Sequence, residues 1–226
     1  VAARQVKPVI MELGGKSPQV VLPDADLDLA VNGIAAGIFP AGGQSCISGS
    51  RLLVHRDVID DFTDRLVSVV KKARVGDPHD PKTQIGPMAN RPQYERVLQC
   101  IADAESAGHR LLLDGRSSCR DTGYYIGPTI FSDVPNDSDL AQHEVFGPVV
   151  STEAWNTEEE VIRTANATVY GLAAGVWSGD VARAMRMAEQ IEAGTVYINN
   201  YFNAATQSPV GGFKQSGYGR ENGWEG

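Results

Sequence analysis

An α/β fold, with a mostly parallel sheet and helices on both faces, is what this sequence predicts. Three observations carry it. Short apolar runs alternate with longer stretches of helical period. The longer stretches open on Asp, Asn or Thr, and the short runs end at glycine or polar turns. At 226 residues, the chain can bury a substantial core as one large domain or one and a half small ones. Such alternation packs as a parallel sheet covered by helices.

Taken in order, residues 6–13 are an apolar run closed by Gly14-Gly15, a strand with a tight exit. Residues 19–22 are a second short strand. Asp24 or Asp26 can cap a helix running to about Phe39. A Gly42-Gly43 loop follows, then a strand over 51–55. Residues 57–73 form an amphipathic helix with Val58, Phe62, Leu66, Val69 and Val70 on one face. Residues 76–81 are a loop by composition. A helix over 90–107 carries Asn90 and Gln93 as a capping box. Strands are expected at 111–113 and 149–155, with 124–131 extended. Thr157 and Glu160 form a second capping box for a helix to about Ala167. A strand at 172–177 precedes a helix from Asp180 to Ala193, stopped by Gly194. The last strand is 195–198. No repeat or low-complexity tract interrupts the pattern.

Composition excludes several functions. Hydrophobic residues make up 42% and charged residues 21%, ordinary for a globular protein. A net charge of −8 argues against a nucleic-acid footprint. No apolar run reaches the roughly 18 residues of a membrane span. Val1-Ala2-Ala3-Arg4-Gln5 does not read as a signal peptide, so cytoplasm is the expected location. The 3 cysteines are far apart and odd in number, which is no disulfide framework. The 4 histidines lack metal-ligand spacing, so no metal is implied.

Two segments carry chemistry. One is Phe39-Pro40-Ala41-Gly42-Gly43-Gln44-Ser45-Cys46, a lone cysteine approached through glycines. The other is Met11-Glu12-Leu13-Gly14-Gly15-Lys16, a carboxylate at the end of an apolar run. A thiol nucleophile with a carboxylate base suits acyl-type chemistry through a thioester. The thiolate is the reactive form, so such a site must lower the thiol's pKa or deprotonate it on demand. Cys100 and Cys119 read as packing residues. Gly217-Tyr218-Gly219-Arg220-Glu221-Asn222-Gly223 approaches a dinucleotide fingerprint, but the glycine spacing is one residue too long and no β-branched strand precedes it.

These segments resemble the aldehyde dehydrogenase superfamily. The glutamate signature runs from Met11 to Pro18. Phe39, Gly43, Gln44 and Cys46 match the cysteine signature. Ser48 stands where the family usually has Ala or Gly. Glu144-Val145-Phe146-Gly147-Pro148-Val149 matches a third family segment, and the stretch from Pro209 to Glu221 a fourth. The resemblance implies Cys46 as nucleophile and Glu12 as general base. It implies that Glu144 and Phe146 meet the nicotinamide end of NAD or NADP, and that the Leu13 backbone approaches the carboxamide. It implies an oxyanion hole made by the Cys46 N–H and an Asn outside this chain.

By the same resemblance, the chain is the catalytic half of an NAD(P)-dependent enzyme, with the main cofactor site in an absent N-terminal half. Residues 1–16 would end the cofactor-binding domain, 17–208 form the thiol domain, and 209–226 return toward the cofactor domain. The substrate is a small aldehyde, and the parent a homodimer or homotetramer. Members that pass the acyl group to coenzyme A usually lack the glutamate, so Glu12 argues for hydrolysis. The rival readings are a thiol acyltransferase or hydrolase without nicotinamide, and a non-catalytic role.

Overall fold

The computed structural model describes residues 2–203 and 205–224. The strands of its main sheet are β2 (Pro18–Val21), β3 (Arg51–His55), β4 (Arg110–Leu113), β5 (Thr129–Ser132), β6 (Val149–Trp155), β7 (Ala173–Trp177) and β8 (Thr195–Ile198). They lie in the order β4-β5-β6-β3-β2-β7-β8. Only β4 runs antiparallel to its neighbour. A separate ribbon pairs β1 (Met11–Glu12) with β9 (Gly217–Tyr218), antiparallel.

Both faces of the main sheet are covered, which is why its strands read as unbroken apolar runs. Leu52 and Val54 of β3 meet Ile34 and Ile38 of α1 (Leu27–Ile38) and Phe62 and Leu66 of α2 (Ile59–Val70). Leu53, between them, meets Val161 of α5 (Glu158–Asn166) and Met187 of α6 (Val181–Ala188) on the opposite face. A third cluster packs α3 (Arg91–Ser106) and the short α4 (Asp139–Gln142) against Phe131 and Val149.

Capping residues set the helix starts. Asp26 Oδ1 accepts from the backbone of Asp28 and Leu29, Asn90 from Gln93, Thr157 from Glu160 and Asp180 from Arg183. Asp24, the other candidate cap, instead accepts from the Ser178 hydroxyl at 3.0 Å. Of the two expected capping boxes, the one at Asn90 does not close, whereas at Thr157 the Glu160 carboxylate is stabilised by the Thr157 backbone N–H. The Gln93 side chain turns to the 145–146 loop, and Glu160 accepts from the backbone N–H of Asn156 at 2.9 Å.

The structure corrects three further expectations. Of the strand expected over 6–13, only Met11 and Glu12 form a ladder among the described residues, opposite Tyr218 and Gly217. The last helix stops at Ala188 rather than Ala193; residues 189–193 continue as tight turns. Val69 is 37% exposed, whereas Leu66 on the same helix is fully buried. The two lie three residues apart, but their directions diverge enough to leave Val69 at the edge of the apolar stripe.

Parallel pairing puts several loops on one edge. The segments entering β2, β3, β6 and β7 all arrive at the amino ends of neighbouring strands. They carry Gly14-Gly15, Cys46, Glu144–Phe146 and Tyr170. Open α/β sheets usually bind ligands beyond the carboxyl ends of their strands; here the chemistry-bearing residues gather at the opposite edge.

Leu66→Ala should cost about 2–5 kcal/mol and Val69→Ala less than about 0.5 kcal/mol. Chemical denaturation of the two variants checks this. Equal losses would contradict the assigned helix face.

Candidate active site

The Cys46 loop leaves α1 through a sharp turn. Ala41, Gly42 and Gly43 all take left-handed backbone angles, with φ of 56°, 64° and 68°. A side chain at Gly43 would overlap the Gly147 carbonyl, so glycine lets the thiol loop lie against the 144–147 loop. Gln44 pins the turn, donating to the Ala41 carbonyl and accepting from the Ala89 N–H, both at 2.8 Å. Ser48 N–H closes on the Ser45 carbonyl at 3.0 Å. Cys46 thus sits second in a hydrogen-bonded turn and is half-buried.

Glu12 and Leu13 lie on β1 and just after it, both exposed. Glu12 stands opposite Gly217 of β9. Ser216 fastens this strand to the sheet. Its carbonyl accepts from Leu13 N–H at 2.9 Å, its hydroxyl donates to the Gly14 carbonyl at 2.7 Å, and that hydroxyl accepts from Gly171 N–H at 2.9 Å. The glycine-rich segment after Pro209 is therefore a buttress for the Glu12 strand. Gly15 then crosses directly over Cys46: a Cβ at position 15 would overlap the Cys46 carbonyl oxygen.

The same glycine holds the third component. Gly15 N–H donates to Glu144 Oε1 at 3.1 Å, and a Cβ at Gly14 would lie 2.6 Å from Oε2. The N-terminal turns of α3 fix the backbone behind this carboxylate. Arg96 donates to the Glu144 carbonyl at 2.8 Å, and Gln93 Nε2 donates to the carbonyls of Val145 and Phe146, both at 2.9 Å. Those two bonds hold Phe146 at φ 57°, a strained conformation for an aromatic residue. Gln93, Arg96 and Ser216 escaped the sequence reading. Gln93 was visible only as a cap, because nothing local shows that its side chain crosses to another loop.

Electrostatics oppose a standing thiolate. Burial raises the Cys46 pKa first, and the Glu12 carboxylate raises it further; Glu144 adds in the same sense. The backbone N–H groups of Ile47 and Cys46 act against them. The helix end nearest the loop is the carbonyl end of α1, whose dipole also disfavours an anion. Of the two expectations, a pre-lowered pKa or deprotonation on demand, the structure supports the second. Burial likewise raises the Glu144 pKa.

Lys16 is buried, and its Nζ has no hydrogen-bond partner among the described residues. Desolvation, then the nearby Arg51 cation, pushes its pKa down to about 7. No group of three or more metal-ligand side chains occurs among the described residues.

The Gly15 crossing thus gathers a half-buried thiol and the Glu144 carboxylate at one sheet edge, with the Glu12 carboxylate near enough to raise the thiol's pKa. The aldehyde dehydrogenase family profile matches residues 1–226, and the chain belongs to that family. It is 46% identical over 225 residues to a betaine aldehyde dehydrogenase of Brucella anthropi, covering 98% of this chain and 46% of that protein. It is 43% identical over 224 residues to an aldehyde dehydrogenase of Monascus ruber, again covering 98% of this chain and 45% of the other. Among solved structures, an NAD-dependent aldehyde dehydrogenase of Sinorhizobium meliloti superposes with a TM-score of 0.96 at 44% identity, over 100% of this chain and 45% of that one. The NAD+ complex of an aldehyde dehydrogenase from Bacillus cereus gives a TM-score of 0.95 at 41% identity, over 99% of this chain and 45% of that one. The chain thus spans about half the length of these relatives.

Two outcomes follow. Gly15→Ala should displace the Cys46 loop, changing the alkylation rate of Cys46 and leaving that of Cys100 unaltered; peptide mass spectrometry reads both. Lys16 has a folded-state pKa below its unfolded value, so the unfolded chain binds its proton more tightly. Its burial penalty is full below about pH 7 and fades as pH rises to about 10.5. The stability of wild type relative to Lys16→Met should therefore rise between pH 7 and 10. A flat difference in denaturation midpoints would contradict the buried-amine assignment.

Proposed function

We propose that this chain supplies the thiol and the base of an NAD(P)-dependent aldehyde dehydrogenase that oxidises an aldehyde to a carboxylic acid. The observation that carries this reading is the Gly15 crossing, which places the Glu12 strand and the Cys46 turn in contact. Cys46 is the nucleophile, Glu12 the general base, and Glu144, Phe146 and Leu13 the nicotinamide-side contacts. The boundaries 1–16, 17–208 and 209–226 belong to the same proposal.

The local residues fit a nicotinamide dinucleotide. Glu144 keeps one oxygen on Gly15 and has no other side-chain or backbone donor among the described residues, so its second oxygen is free for a ribose hydroxyl. Phe146 is held out of ordinary backbone space beside it. Bound there, such a cofactor supplies the hydride acceptor.

Cys46 loses its proton as the aldehyde arrives, with Glu12 as the nearest exposed carboxylate to take it. The thiolate adds to the carbonyl carbon, forming a C–S bond and an alkoxide. The N–H groups of Cys46 and Ile47 face the thiol and donate to no other group among the described residues, so they can donate to that oxyanion beside the Asn that the resemblance places outside this chain. Loss of hydride from the carbon re-forms the carbonyl and leaves a thioester on Cys46. Glu12, exposed at its strand end, releases the first proton to solvent and then removes a proton from water, which attacks the thioester. The C–S bond breaks, releasing the carboxylic acid and the Cys46 thiolate, which takes back the proton held by Glu12.

Acyl transfer without nicotinamide would need a histidine on Cys46. His55, the nearest in sequence, lies at the far end of β3 with its ring 4.7 Å from that of Trp155. Several of the relatives are betaine aldehyde dehydrogenases, which makes betaine aldehyde the first substrate to assay. A homodimeric or homotetrameric parent and a cytoplasmic location complete the proposal. No helix among the described residues is long and apolar enough to cross a membrane.

Glu12→Gln in the intact enzyme should slow thioester hydrolysis roughly 10²–10⁴-fold and preserve the pre-steady-state burst of reduced cofactor. An unchanged steady-state rate would remove Glu12 from the mechanism.

A further inference from the structure

The peptide that joins Ile47 to Ser48 is held at both of its polar ends. Its N–H, from Ser48, donates to the Ser45 carbonyl at 3.0 Å. Its carbonyl, from Ile47, accepts from the Tyr201 hydroxyl at 2.7 Å. The preceding peptide, between Cys46 and Ile47, has its carbonyl packed against Gly15. The Ser45 carbonyl that accepts from Ser48 belongs to the peptide carrying the Cys46 N–H, so three successive peptide planes are oriented, and the N–H groups of Cys46 and Ile47 are left facing the thiol.

We infer that Tyr201 is a positioning residue for the nucleophile: its hydroxyl sets the Ile47–Ser48 peptide, whose N–H holds the Ser45 carbonyl and with it the peptide that carries the Cys46 N–H, so that the turn keeps its backbone donors on the thiolate and the developing oxyanion. This rests on Cys46 being the nucleophile, and it adds a residue that the thiol-carboxylate pair does not include.

The setting of Tyr201 suits that role. It follows β8, is only 7% exposed, and its ring packs where Gly37 of α1 provides room. A side chain at position 37 would lie 2.5 Å from the ring. The Tyr197 ring, 4.8 Å away, supports the other side. Burial drives the phenol's pKa up, and the Ser17 and Gln19 side chains only partly offset this. The hydroxyl accordingly stays protonated and remains a donor across the working pH range. The phenol reaches the turn from the protein interior, so Tyr201 does not compete with substrate for the thiol.

Tyr201→Phe keeps the ring and deletes the donor. The charged groups facing Cys46 are Glu12 and Glu144, and both are untouched. The test is the pH profile of Cys46 alkylation in the intact enzyme, read by peptide mass spectrometry with Cys100 as the internal reference. Wild type should label fastest at Cys46. In the variant, Cys46 labelling near neutral pH should fall about 3–10-fold, the worth of one hydrogen bond to the turn, and recover at alkaline pH, where every thiol is ionised. The aldehyde kcat should fall by a similar factor with KM nearly unchanged.

Replacing tyrosine by 3-fluorotyrosine in the wild-type sequence keeps the packing and strengthens the donor. It should move the profile toward lower pH, and it provides the readout if the phenylalanine variant folds poorly. A profile that stays in place under both changes, with Cys46 still the fastest thiol, overturns the role of Tyr201. Cys46 not being the fastest thiol in wild type overturns instead the assignment of the nucleophile.

Discussion

The absence of a side chain at position 15 is the constraint on which the rest of the site depends. Glu12 and Cys46 belong to different parts of the fold, one on a two-residue ribbon and the other on a turn after α1. Their segments come together because the chain at Gly15 can lie against the Cys46 carbonyl, where any Cβ would overlap. The N–H of the same residue holds Glu144. One glycine thus ties together the three candidate site segments, and its own position is set by the Ser216 hydrogen bonds to the Leu13 N–H and the Gly14 carbonyl.

Placing the groups at the amino edge of the parallel strands has an electrostatic consequence. The carbonyl end of α1, two carboxylates and burial all work against a thiolate. On the proposed mechanism this is tolerable, because a nucleophile needs its charge only when an electrophile arrives, and a protonated thiol is protected from oxidation in the meantime. Backbone N–H groups supply the counterweight. Their aim is a matter of peptide orientation, so residues remote from the chemistry in sequence, Gly15 and Tyr201 among them, bear on it.

Much of this was legible in the sequence, for identifiable reasons. The central strands and their helices follow apolar period and side-chain caps, which are local, and β3, β6 and β8 match their expected limits residue for residue. Cys46, Glu12 and Glu144 stand in motifs whose residue types announce chemistry. The strand expected over 6–13 forms a ladder only at Met11 and Glu12, because apolar character signals burial and does not by itself specify a pairing partner. The Gln93 clamp, the Ser216 buttress and the Tyr201 hydrogen bond link positions separated by 52, 202 and 154 residues, and no local pattern encodes such a distance. The segment from Pro209 was identified as a motif, but its task became clear only from its pairing with β1.

The central claim is that aldehyde oxidation passes through an acyl group carried on Cys46. The most direct measurement is acid quenching of the intact enzyme during turnover of an aldehyde with NAD, followed by peptide mapping for the acyl mass. The account predicts that mass on the peptide containing Cys46, dependent on the cofactor and released by hydroxylamine. Turnover with no acyl mass on Cys46, or with the acyl group on Cys100 or Cys119, would contradict it.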